Sequence, residues 1–239
     1  MFSTKRLTSQ FFAISTLIVG GAMCTACPIY AGAPENLDDS KIERVSIHGA
    51  SGRVELNARS DATPAVHIAK AGFFQLCRTQ VEIRTLDATL DIAIKQTGMD
   101  IFGQCDQAAM IDLPANLAVS LDLPSTVLKL RGAFTDVSVA SANATVDFSG
   151  HAQHFNMVSE NAAVELAFTD ISATDTIRIA ADRLVANLGF QKGDRISYDV
   201  SASASVFTHA FANTPGAKPR VEITSKLLQG SIYILGDAS

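Results

Sequence analysis

An apolar pattern recurs every eighteen residues in the middle of this 239-residue chain. Each copy carries an apolar residue followed seven and nine positions later by two more, and the copies begin at Leu121, Val139 and Met157. After four additional residues the frame returns at Ile179. A period of about 18 to 22 residues is typical of a β-solenoid, whose circuits bury their inward side chains only against the circuits above and below. The repeat therefore predicts that segments eighteen residues apart lie side by side in parallel strands, with Val164 next to Val146.

Short alternating runs extend this pattern over the rest of the chain. From Val45 onward, apolar and polar residues alternate in short β-branched runs separated by Gly, Asn, Asp, Ser or Pro, and no helical periodicity stands out. Such runs are typical of strands joined by turns. We therefore predict an all-β fold over residues 42–239, a single-stranded right-handed parallel β-helix of about ten short rungs.

The N-terminal segment has the three parts of a secretory signal. Lys5 and Arg6 precede an apolar stretch over residues 11–23, which is shorter than the roughly 20 residues of a membrane span, and small residues lead to Ala31. We predict a signal peptide over 1–31, a linker over 32–41, and a mature chain without a transmembrane segment. A lipoprotein alternative stays open, because Ala26-Cys27 resembles a lipidation site although Cys24 stands where leucine is expected.

The charge and the cysteine content limit the cellular compartments and the classes of partner that we expect. The net charge is −5 and the basic residues are scattered, which excludes nucleic acid as an expected partner. The mature chain holds Cys77 and Cys105, and an oxidising compartment favours a disulfide between them. A redox pair is the alternative, but it would favour a close Cys-x-x-Cys spacing. Localisation in the periplasm or at the cell surface follows, or at the outer membrane if Cys27 is lipidated.

No residue set in the sequence has the pattern of a catalytic or cofactor site. His151 and His154 have a spacing that suits zinc, but no third ligand accompanies them, so we expect exposed turn histidines and no bound metal. The aspartates fall at different positions of the repeat, which does not suit the paired acids of a polysaccharide-cleaving β-helix. We expect no enzyme activity and no cofactor.

The segment from Gly132 to Phe148 resembles a known class of repeats. Its Gly-Ala-Phe-Thr-Asp start and its Val-Ser-Val-x-Ser-x-Asn-x-x-Val-x-Phe continuation are similar to bacterial putative-adhesin families, including β-solenoid domains of the head-GIN type. The resemblance implies an exported, non-catalytic cell-envelope protein that acts as an adhesin-like binding or scaffold module. Expected partners are envelope proteins, glycans, or other copies through the solenoid edges. The alternatives are a structural envelope protein without a specific ligand, or a polysaccharide-active β-helix enzyme.

Overall fold

The computed structural model describes residues 35–36, 42–68, 77–98 and 108–236. All secondary-structure elements within these ranges are β-strands. The all-β prediction is confirmed, and the strands form one curled, open sheet. No helix in the described ranges has the length and apolarity to cross a membrane. The strands are β1 Glu35–Asn36, β2 Arg44–Gly49, β3 Gly52–Arg59, β4 Ala65–Ile68, β5 Cys77–Leu86, β6 Thr89–Gly98, β7 Ala108–Pro114, β8 Leu117–Asp122, β9 Ser125–Phe168, β10 Thr176–Phe190, β11 Ser197–His209 and β12 Arg220–Ile234.

The parallel register in the middle of the sheet follows the predicted frame. Strand β8 pairs with β9 so that Leu121 lies opposite Val139, eighteen residues later. Strand β10 pairs with β9 at a separation of 22 residues, with Ile179 opposite Met157. The four additional residues of the frame thus lie in the loop between β9 and β10, and the inward positions stay aligned.

Contacts within the 44-residue strand β9 keep the same eighteen-residue offset. The side-chain amide of Asn161 donates to Asn143 Oδ1 at 3.0 Å, and the Thr169 backbone N–H donates to the Gly150 carbonyl at 3.0 Å. Val146 and Val164 lie between these two contacts and are buried. Successive stretches of β9 therefore pack against one another as separate layers.

Serine hydroxyls mark the bends at which each layer changes direction. Ser141, Ser159 and Ser225 each donate to the carbonyl two residues later, at 2.8, 2.9 and 2.8 Å. These hydroxyls also lie 3.2–3.4 Å from a carbonyl of the neighbouring layer. Serine commonly makes such local bonds, and here they turn the backbone without ending the ladder.

The core is a column of apolar side chains between the two arms of each layer. Phenylalanine rings form its centre, with 5.0 Å between Phe148 and Phe168 and 5.4 Å between the stacked rings of Phe168 and Phe190. Such aromatic pairs stabilise a core by about 0.5–1.5 kcal/mol beyond the area they bury. These rings come from successive layers, so they connect one layer to the next through the core.

The order of the layers differs from a coil wound strictly in sequence. Strand β2 lies between β6 and β8, and β12 lies between β10 and β11. Antiparallel pairs β5–β6, β4–β7 and β1–β4 also occur at the N-terminal side, where the repeat predicts parallel strands only. Pairing requires only a matching pattern of inward side chains, and a longer connection costs little additional loop entropy. A late strand can therefore occupy an inner layer.

Several predictions concern residues outside the described ranges. The signal peptide over 1–31, Cys27 and most of the 32–41 linker lie outside them. Cys77 is the first residue of β5, whereas Cys105 lies outside the described residues. The Cys77–Cys105 disulfide therefore stays a prediction.

Candidate binding groove

A groove of about 790 Å³ runs across the layers on the outer side of the bends. Ala144, Ala162 and Leu184 are among the residues that form its floor, and their side chains are buried in the core. Two rows of outward side chains flank this floor. We call them the amide row (Ser125, Asn143, Asn161, Arg183, Leu227 and Ala204) and the valine row (Val127, Thr145, Ala163, Val185, Gln229 and Val206).

The amide row is a continuous ladder of hydrogen bonds in its centre. Asn161 donates to Asn143 Oδ1 and accepts from Arg183 Nη1, both at 3.0 Å. Strand register continues the row from Arg183 to Leu227 and then to Ala204. Among the described lining residues Arg183 alone carries a charge. This wall therefore offers amide groups and one cation.

The valine row exposes apolar surface that the fold leaves uncovered. Val127, Val185 and Val206 are 38%, 45% and 73% exposed, and Leu227 on the opposite wall is 52% exposed. Register places Ala163, Val185, Gln229 and Val206 in consecutive layers. Single exposed apolar side chains are ordinary on a protein surface, but an aligned row beside a groove is typical of a binding surface.

The histidines proposed as turn residues lie on strand β9 instead, so the predicted turn is wrong. His154 Nδ1 contacts Thr176 Oγ1 at 2.9 Å, and His151 Nε2 contacts the Asp175 carboxylate at 3.1 Å. The two imidazoles thus bind to two different side chains and do not converge on one point. No group of three metal-ligating side chains occurs within the described ranges.

Asp175 organises the loop between β9 and β10. Its side chain is 2% exposed and accepts from the Ser172 backbone N–H at 2.6 Å, from the Ser172 hydroxyl, and from His151. Serine, histidine and aspartate therefore meet here, but both Ser172 and His151 contact the carboxylate. A nucleophile–base pair requires a contact between serine and histidine. The bonds to Asp175 instead hold the loop between β9 and β10 in place.

Two outward carboxylates of strand β9, those of Asp147 and Glu165, are paired with side chains of other layers. Arg131 makes two bonds to the Asp147 carboxylate, at 2.6 and 3.0 Å, and these bonds raise the pKa of the Arg131 guanidinium. Tyr233 donates to Glu165, and burial together with this bond raises the pKa of Tyr233 to about 12. Such pairs join neighbouring layers on the outer face of the sheet.

Sequence reasoning missed the groove because it followed the inward positions. The available signal was the apolar residue immediately before the inward pair of a layer, as in Val127, Val185 and Val206, where alternation favours a polar residue. Without the register, these valines are scattered along the chain. Strand pairing brings them into one row.

Comparisons with known proteins give only distant likenesses. No family model matches the chain. No curated protein matches its sequence. Solved structures with some likeness are a putative cell adhesion protein from Clostridium sporogenes ATCC 15579 (11% identity, covering 84% of this chain and 97% of that one, TM-score 0.48) and a putative adhesin from Bacteroides fragilis NCTC 9343 (12%, 85% and 96%, TM-score 0.41). A third is a putative adhesin from Parabacteroides distasonis ATCC 8503 (10%, 85% and 96%, TM-score 0.32). Likenesses at these TM-scores carry no conclusion about what this chain binds.

Proposed function

We propose that this chain is a non-catalytic, exported cell-envelope protein, built as a β-solenoid, that binds an extended partner along the groove. The observation that carries the proposal is the exposed valine row beside the ladder of the amide row. The parallel register of β8, β9, β10 and β12 supports the solenoid, because each inward position is covered by the same position of the next layer.

The groove fits an extended polypeptide segment best. It spans about six layers, or roughly 24 Å at about 4.8 Å per layer, which is the length of about seven extended residues. The valine row suits apolar side chains, and Arg183 suits a carboxylate on the partner. Sugar rings bind well against aromatic side chains, but the described lining residues contain none.

Selection of peptides tests this proposal directly. A displayed library of random peptides is selected on the processed protein, and affinities are then measured by fluorescence anisotropy. We expect the selected peptides to be apolar and to carry an Asp or Glu. Val185→Asp should weaken them about tenfold or more, because it places a charge in the apolar wall.

Val158→Asp is the matched control, since Val158 is 55% exposed and does not line the groove. It should leave peptide affinity unchanged. Arg183→Gln should weaken acidic peptides and spare their Asn or Gln counterparts. Equal effects of Val185→Asp and Val158→Asp, or a selection without apolar acidic peptides, would contradict the proposed site.

The export part of the proposal has a separate test. The mass of the protein purified from fractionated cells gives its N-terminus. A chain that starts at Gly32 supports signal-peptide removal and a free exported protein. A chain that starts at a lipid-modified Cys27 would instead assign it to a membrane surface as a lipoprotein.

A further inference from the structure

The last layer of the sheet has an open strand edge. Within the described ranges β11 pairs with β12 alone, and most of its side chains are exposed. At the N-terminal side, in contrast, antiparallel strands pair with the sheet, and β5 there carries Glu82 and Arg84. Charged side chains are a common protection of an exposed edge, and between Val200 and Thr208 strand β11 has no ionisable residue.

The hydrogen-bonding groups on this edge can be assigned from the bonds to β12. The Ser197 N–H donates to Pro219 O and the Ala210 N–H donates to Ile232 O. The backbone N–H and C=O groups of successive residues in a strand point to opposite sides. The N–H and C=O groups that face the open edge are therefore those of Val200, Ala202, Ser205 and Phe207. The same alternation turns these four side chains towards the core side of the layer.

One part of the edge is closed by a side chain of the following loop. Asn213 accepts from the Tyr198 N–H at 3.1 Å and donates to the Tyr198 carbonyl at 2.8 Å, as a neighbouring strand would. The Thr214 N–H also donates to the Ile196 carbonyl at 3.0 Å. This cap ends before Val200, so the bent stretch from Val200 onward is left open.

We propose that the open edge of β11 pairs antiparallel with β11 of a second copy of this chain, giving a two-fold symmetric dimer joined end to end. The chain bends at Ser203. In the register of β11 and β12, Ala202 pairs with Ser225 and Ala204 with Leu227, so Ser203 is skipped. A two-fold axis through the bend sets Ala202 opposite Ser205 of the second copy and Val200 opposite its Phe207. These are the residues whose backbone groups face the edge, so about eight hydrogen bonds form across the axis.

The shape of the edge favours an identical copy over another strand. The bend at Ser203 separates two arms, and a straight partner strand would follow only one of them. A second copy has the same bend at the same place, so both arms meet their counterparts. The absence of charge from Val200 to Thr208 also means that identical strands place no like charges opposite one another.

The outward side chains specify a test of this register. Ser201 of one copy lies opposite Val206 of the other, and both residues are exposed. The processed protein should sediment with the mass of two chains. The S201K/V206K variant should sediment as a monomer, as should S201E/V206E, because each places two like charges opposite one another. A mixture of the two variants should recover the dimer.

Two further measurements complete the experiment. Circular dichroism confirms that each variant is folded, and Val158→Lys, at an exposed position in an inner layer, should leave the dimer intact. A monomeric wild-type protein, or a dimer that persists in S201K/V206K, would overturn the proposal. Failure of the mixture to recover the dimer would overturn the register and with it the two-fold pairing. None of these outcomes depends on whether the groove binds a peptide.

Discussion

Gly150→Ala tests how closely two layers approach in the middle of strand β9. Gly150 has φ +148°, and a Cβ atom at this position would lie 1.9 Å from the Gly132 carbonyl oxygen and 2.7 Å from its carbon. Backbone atoms of a paired layer cannot yield as a flexible side chain can. Alanine must therefore push the two layers apart or break the hydrogen bonds between them.

The magnitude follows from two separate costs. A positive φ costs an alanine about 1–2 kcal/mol, and forcing atoms into a packed site costs about 1–3 kcal/mol. We expect Gly150→Ala to lower the free energy of unfolding by about 2–5 kcal/mol, the sum of these two ranges. Gly193→Ala is the matched control, because Gly193 has φ +97° and no atom within 4 Å of its Cβ position. It should cost only about 1–2 kcal/mol.

Denaturation in urea, followed by circular dichroism, measures both values. We expect a clearly lower midpoint for Gly150→Ala than for Gly193→Ala, at an unchanged slope. Two variants of equal stability would show that no neighbouring backbone lies against Gly150, and the eighteen-residue stacking would then be wrong.

Three further changes test other contacts. Wild type should lose stability between pH 10 and 12, because the folded pKa of Tyr233 of about 12 lies above the unfolded value of 10.0, so that only the unfolded tyrosine ionises in that window. Tyr233→Phe should remove this loss, as measured by urea melts at several pH values. Asp175→Ala should cost about 3 kcal/mol by leaving buried donors without a partner, whereas exposed Asp170→Ala should stay within about 0.5 kcal/mol in the same assay. Val164→Asp should abolish the cooperative thermal transition, because it buries a charge in a site that is 3% exposed; a near-neutral effect would mean that the residue faces solvent.

The central layers could be predicted because one physical requirement acts on every circuit. Met157, Val164 and Leu166 must be covered by the next layer, so apolar residues recur at Ile179, Ala186 and Leu188. The loop of residues 169–175 changes the spacing but not this requirement. The sequence pattern thus carries the register of β9 and β10 directly.

The order of the outer layers could not be predicted in the same way. Ile223 of β12 lies between Ile179 of β10 and Val200 of β11, and all three are apolar residues at an inward position. Their pattern allows either order of β11 and β12. The choice depends on the course of the connections between the strands and on loop bonds such as those of Asn213, which have no periodic signal.

The groove depends on the same missing information. Val185 and Val206 are 21 positions apart, and only the insertion of β12 sets them two layers apart on one wall. Sequence alone identifies them as two apolar residues on exposed sides of strands. A functional surface built from several layers becomes visible only when the layer order is known.

The most direct test of the account measures the distance between outward neighbours of the Val146 and Val164 layers. Nitroxide labels on Thr145→Cys and Ala163→Cys, in a background without other reactive cysteines, would lie on adjacent strands about 5 Å apart. We predict strong dipolar broadening of the electron paramagnetic resonance spectrum. Labels at 145 and 229, about three layers or roughly 14 Å apart, should broaden far less. If the 145/163 spectrum equals the sum of the two singly labelled spectra, the stacked layers do not exist.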